Sequence, residues 1–210
     1  MRTHVSLAAL SIALAGTLSV RAANPRTFTV DPQRSHALIQ VGKGGMFSFA
    51  GHLHEVEAPI ASGVVHLDPD DLSHADVRLE FNAAAMRVTG KGEPPNDVPK
   101  VQEVMLSDQV LDVRRYPTIT LASTAVSSNA AKAAGQTAFD LTIAGTLSIH
   151  GATRPFKAPV GVRLDGATLT ATGRLSIKQT DFGIKPISVG GVVNVKDALD
   201  LSFEIVARER

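Results

Sequence analysis

The sequence contains no cysteine and no tryptophan, and only 4% of its 210 residues are aromatic. Without cysteine there is no disulfide framework, no thiolate nucleophile and no residue for a lipoprotein anchor. Stability has to come from apolar burial and from a well-closed set of backbone hydrogen bonds. Neither sign of charge dominates, with 21 Lys and Arg against 20 Asp and Glu, and no basic run occurs. That balance argues against nucleic acid or an anionic membrane surface as a partner. Catalytic signatures are also missing. There is no Gly-x-Ser-x-Gly elbow and no recognisable Ser-His-Asp set. The glycine-rich segments at 42–45 and 90–92 lack the context of a phosphate loop, and the carboxylate pair Asp70 and Asp71 sits in a turn. No catalytic residue is assigned, and the chain is not read as an enzyme.

What is present begins with the compartment. Arg2 precedes an uncharged run from Val5 to Val20, and Val20 and Ala22 place small residues at the −3 and −1 positions of a cleavage site. This is the pattern of a secretory signal peptide. The run is shorter than the roughly 20 residues a membrane span needs. Residues 1–22 are therefore expected to be a cleaved signal peptide, giving a periplasmic or secreted protein with no stable membrane insertion after cleavage. Removing 22 of the 210 residues leaves 188, and because Arg2 and Arg21 leave with them, the remainder carries 19 basic and 20 acidic residues. That length suits one domain, 23–210.

Period-two alternation dominates the rest of the chain, as in half-buried strands. Ala75, Val77, Leu79 and Phe81 share one face. Phe139, Leu141, Ile143, Gly145, Leu147 and Ile149 share another, and the pattern recurs over 156–164, 167–177 and 199–205. Shorter strands are expected at 27–30, 37–41, 60–67 and 118–123. His150-Gly151 and Asp165-Gly166 supply hairpin turn chemistry. Strands of eight to eleven residues reach about 27–36 Å, which favours a deep antiparallel barrel over a compact sandwich. Helical spacing occurs only within 100–115, behind Pro99 and before Pro117, so one or two short helices are expected to cap the barrel. The small, polar segment 125–137 reads as a surface connection.

Ala, Gly and Val recur on the apolar faces. Side chains of that size leave the lumen open to either outcome, a ligand cavity or a core closed by interdigitation. His52 and His54 have metal-ligand spacing, and on a strand both imidazoles share a face. His36 or His66 would have to complete such a site, so no metal site is assigned. The pair supports an alternative reading as a metal- or haem-linked redox or stress-response protein. It is equally placed, beside Phe47 and Phe49, to contact a ligand head group.

Five ordered segments carry a family resemblance: Phe28 to His36; Gly63 to Asp68 with Ser73 to Glu80; Val104 to Thr120, which contains Tyr116-Pro117; the turn Gly145-Thr-Leu-Ser-Ile-His-Gly-Ala-Thr-Arg-Pro155; and Thr180 to Ile184. In these the chain resembles a YceI-like domain. The resemblance implies an all-β, antiparallel, eight-stranded, extended lipocalin-like barrel with an apolar tunnel. It also implies periplasmic binding of a polyisoprenoid lipid, such as a quinone tail or prenyl phosphate. One family element, Arg-Asp-x-His-Leu, reads differently here over Asp97 to Leu106, and its histidine is missing. Alternation and resemblance together nominate Phe47, Phe49, Phe81, Met86, Met105, Leu106, Tyr116 and Phe182 as lumen contacts. Arg114 and Arg115 join His52 and His54 as head-group candidates, since guanidinium pairs well with phosphate. No cofactor is required on this reading beyond a bound isoprenoid lipid, and a homodimer is left open.

Overall fold

The computed structural model describes residues 25–44, 53–129, 135–189 and 193–210. The segment 1–22 and the candidates Phe47, Phe49 and His52 lie outside them. The strands, in chain order, are β1 (Arg26–Val30), β2 (His36–Gly44), β3 (His54–Glu57), β4 (Ile60–Asp68), β5 (Asp71–Asn82), β6 (Arg87–Val88), β7 (Thr118–Ser128), β8 (Ala138–Ile149), β9 (Ala152–Asp165), β10 (Thr168–Lys178), β11 (Ser188–Val189) and β12 (Val193–Glu209). Among the described residues there is a single α-helix, α1 (Val98–Leu106), besides short 3-10 turns. No helix of the described residues is long and apolar enough to cross a membrane.

Eight strands close an antiparallel barrel in the order β1-β4-β5-β7-β8-β9-β10-β12, and β1 pairs back onto β12. The long β12 makes this closure possible. One of its edges pairs with β10, while the other takes β2 along its first part and β1 near its end. Where the chain bends from β1 into β2, the buried Ser35 hydroxyl stands in for the interrupted ladder. It accepts from the Val206 N–H at 2.9 Å and donates to the Val206 carbonyl at 3.2 Å. From β2 the sheet continues outward through β3 to β6, so the upper half of the barrel splays open, and α1 lies across that end.

The turns follow from their residues. His150 and Gly151 both have positive φ (51° and 76°), as a type I′ hairpin requires between Ile149 and Ala152. One expectation needs correction. Residues 125–128 belong to β7, because a bulge after Ser123 restores their pairing with β8. The expected capping helix is present as α1 and ends at Leu106, because Ser107 turns the chain and Asp112 takes a positive φ of 43°.

At the closed lower end, Phe28, Leu67, Leu169 and Ala207 are almost fully buried in a packed cluster. Outside it, the Arg26 guanidinium donates to both carboxylate oxygens of Glu209, at 2.9 and 2.6 Å. These bonds hold the Glu209 carboxyl below the usual carboxylate range. A lowered folded-state value means the pair stabilises above the unfolded Glu range and loses that contribution as pH falls through the folded value. Glu209→Gln is accordingly expected to flatten the acid limb of a melting-temperature profile between neutral pH and pH ~3. An unchanged acid limb would mean the pair adds nothing.

Candidate functional site

Above the closed end the barrel is hollow, with a cavity of about 740 Å³, inside the usual range for small-molecule sites. Its deep wall is aliphatic and aromatic, including Val65, Val77, Ile143, Ala158, Val160, Ala171 and Ile205. These are the inward positions of alternating strands, with the charged residues Asp76, Arg78, Glu80 and Arg174 at the intervening outward ones. The apolar face is thus the inner one, the reverse of a membrane-spanning barrel.

Side-chain placement, more than side-chain size, keeps the lumen open. Phe156 lies opposite Gly145 across the β8–β9 pair, and Phe203 lies opposite Gly173 across β10–β12. A Cβ on Gly145 would stand 2.8 Å from the Phe156 ring, and one on Gly173 only 2.4 Å from the Phe203 ring. Each ring packs over the bare glycine backbone, in space a Cβ would occupy. The inward glycines therefore make room for aromatic rings along the wall.

The helix contributes the rim. Asp97, Lys100, Val101, Val104 and Met105 all line the cavity, and their i, i+3, i+4, i+7, i+8 spacing is one helical face. Its apolar residues point down the lumen, and the exposed Asp97 and Lys100 sit at the outer margin. Gln109 and Gln179 add polar groups, and Gln179 is held by its amide donating to the Lys196 carbonyl at 2.8 Å.

Across the rim, β3 turns His54 and Val56 inward and Glu55 and Glu57 outward. Outside, Glu55 accepts from Gln40 Nε2 at 2.6 Å and Thr89 Oγ1 at 3.1 Å, and pairs with Lys91 at 3.5 Å. Burial pushes the Glu55 carboxyl up, but these bonds outweigh it and leave it below the usual range. Inside, His54 Nδ1 stands 3.0 Å from Glu93 Oε2. Gly90 and Gly92, with φ of 75° and 78°, reverse the chain on either side of Lys91. Lys91 thereby faces out while Glu93 faces in, a backbone path that other residues adopt poorly.

Of the nominated lumen residues, Phe81, Met86, Met105 and Phe182 line the cavity. Leu106 stands outside the wall and packs on the upper core. Tyr116 is also outside, seated over the β8–β9 turn. Its ring meets His150 edge-on at 4.8 Å, and a Cβ on Gly151 would fall 2.5 Å from it. Two segments of the family resemblance, the Tyr-Pro and the Gly-containing turn, thus pack against each other. Arg114 and Arg115 are exposed away from the cavity, with Arg115 stacked 5.2 Å from the Tyr116 ring.

Among the described residues no group of three His, Cys, Asp or Glu is arranged to hold a metal. His36 is five residues along β2 from the partner of His54, about 16 Å away. His66 pairs with Asp76 at 3.0 Å on the barrel exterior. Glu93, Asp97 and Lys100 escape the sequence reading because they fall in, or just after, the Pro- and Gly-rich stretch before the helix. Two glycines flanking a single lysine, ahead of Glu93, are the only signal there.

A family model described as a YceI-like domain matches residues 28–207. A search of curated proteins finds no match. Among solved structures, the chain is similar to BcnA of Burkholderia cenocepacia, at 20% identity and a TM-score of 0.57, covering 84% of this chain and 98% of that one. It is also similar to a polyisoprenoid binding domain from Saccharophagus degradans implicated in plant cell wall breakdown, at 14% identity and a TM-score of 0.62, covering 87% and 98%. The Campylobacter jejuni YceI protein follows, at 15% identity and 0.51, covering 80% and 84%. At such identities these structures share the fold with this chain.

Proposed function

The chain belongs to the YceI-like family, and we propose that it binds one long apolar lipid, a polyisoprenoid, in the barrel lumen. One observation carries the proposal: a cavity of about 740 Å³ whose lining is predominantly aliphatic and aromatic, with Glu93, Asp97 and Lys100 gathered at one end. Each methylene buried there contributes about 0.8 kcal/mol, so a long tail binds firmly without a strong polar anchor. The polyisoprenoid binding domain from Saccharophagus degradans, which shares the fold, supports the ligand class. The charge-free run behind Arg2 supports export, and with it a role as a periplasmic carrier or sequestrant. On this reading the activity is binding rather than catalysis, which the YceI-like family and the polyisoprenoid binding domain that shares the fold support.

Organic extraction of natively purified protein, followed by mass spectrometry, tests this. About one isoprenoid lipid per chain is the expected result. Protein that carries no such lipid and takes up none from vesicles doped with a polyprenol would overturn it.

A further inference from the structure

Among the described residues, the buried side-chain nitrogen and oxygen atoms without a hydrogen-bond partner are all in one place. Glu93 is only 1% exposed at its side chain, lines the cavity, and has no hydrogen-bond partner at either oxygen. His54 Nδ1, at 3.0 Å, is near enough for an ion pair, but it too lacks a hydrogen-bonded partner. The two atoms are close without being aligned. Buried carboxylate oxygens left in this condition are costly and rare. The nearest lysine in sequence, Lys91, is turned outward onto Glu55.

Resting on the lipid-binding reading above, we propose that His54 and Glu93 read the ligand's head group, and that they select an uncharged, hydroxyl-bearing lipid over a phosphate-headed one. An ionised carboxylate only accepts, so whatever completes it must donate. A neutral imidazole offers one donor and one acceptor. A hydroxyl donates and accepts at once, so it can donate to Glu93 while accepting from the imidazole N–H. A phosphate brings added negative charge and acceptor oxygens. At this rim it would meet Glu93 and Asp97, with Lys100 as the one Lys or Arg lining the cavity among the described residues. Like charges at such a site disfavour it.

Three probes with one tail separate the possibilities: geranylgeraniol, its methyl ether and its monophosphate, each titrated against the full mature protein. The alcohol is expected to bind about tenfold more tightly than the ether, as one charge-assisted hydrogen bond predicts, and more tightly than the phosphate. Glu93→Ala combined with His54→Ala should bring alcohol and ether within about twofold of each other. Glu93→Gln, nearly the same shape, keeps an acceptor but loses the charge. It should retain the preference for alcohol over ether and relax the discrimination against phosphate. Equal binding of all three probes by the unaltered protein would overturn the head-group assignment and leave the lipid reading standing. So would a preference that survives in a folded variant carrying both Glu93→Ala and His54→Ala. Failure of all three to bind would overturn the lipid reading itself.

Discussion

Ala171→Phe is expected to abolish tight binding of long isoprenoid chains while leaving the protein folded. Ala171 lines the cavity on β10, between Val162 and Ile205 on the flanking strands. A benzyl group there projects into the lumen, where it buries apolar surface, so the melting temperature should hold or rise. The same ring removes space from the ligand. Excluding only two methylenes forfeits about 1.6 kcal/mol, more than a tenfold weakening, and a ring blocks more than two. Short-chain probes held near the rim should keep most of their affinity. If the variant binds the long chain as well as the unaltered protein does, the tail does not lie in the barrel.

Gly145→Ala is expected to be the most damaging small substitution in the wall. A Cβ at Gly145 would lie 2.2 Å from the Ala122 carbonyl oxygen and 2.8 Å from Ser123 Cα, as well as 2.8 Å from the Phe156 ring. A ring can rotate away. The backbone of β7 cannot, because the bulge after Ser123 holds it close to β8. Relieving the overlap means prising the two strands apart, at a cost of about 3 kcal/mol. For a domain of this size, that corresponds to a fall of roughly 6–12 °C in melting temperature. Gly161→Ala is the control, since its Cβ would meet only Thr172 Oγ1 at an ordinary 3.5 Å. Similar melting points for both variants would remove the packing argument.

The barrel is legible in the chain because a pleated strand writes its burial directly as period-two alternation. β8, β9 and β10 all carry it without interruption. Closure is harder to read. It depends on β12 holding two strands on one edge, and on a serine hydroxyl bridging the gap, neither of which leaves a local pattern. The site is legible in part. Phe81 and Phe182 belong to stretches whose pattern or resemblance marks them. Leu106 and Tyr116 lie next to them in that logic, yet one residue of helical rotation turns Leu106 out of the wall, and Tyr116 is taken by the hairpin turn. Glu93 could not be found by periodicity at all. It stands in a loop, and only the reversal between Gly90 and Gly92 determines that it faces inward.

The plug of Phe28, Leu169 and Ala207 at the lower end has a kinetic consequence. A tube stoppered at one end is a blind alley, and a threaded chain leaves only by retracing its path past the helix. Release is then a stepwise withdrawal whose barrier grows with every isoprene unit. Residence time should lengthen with tail length even where equilibrium affinity levels off. On the proposed carrier role, an acceptor would have to meet the barrel at its helical end and take the head first, while the tail is still inside.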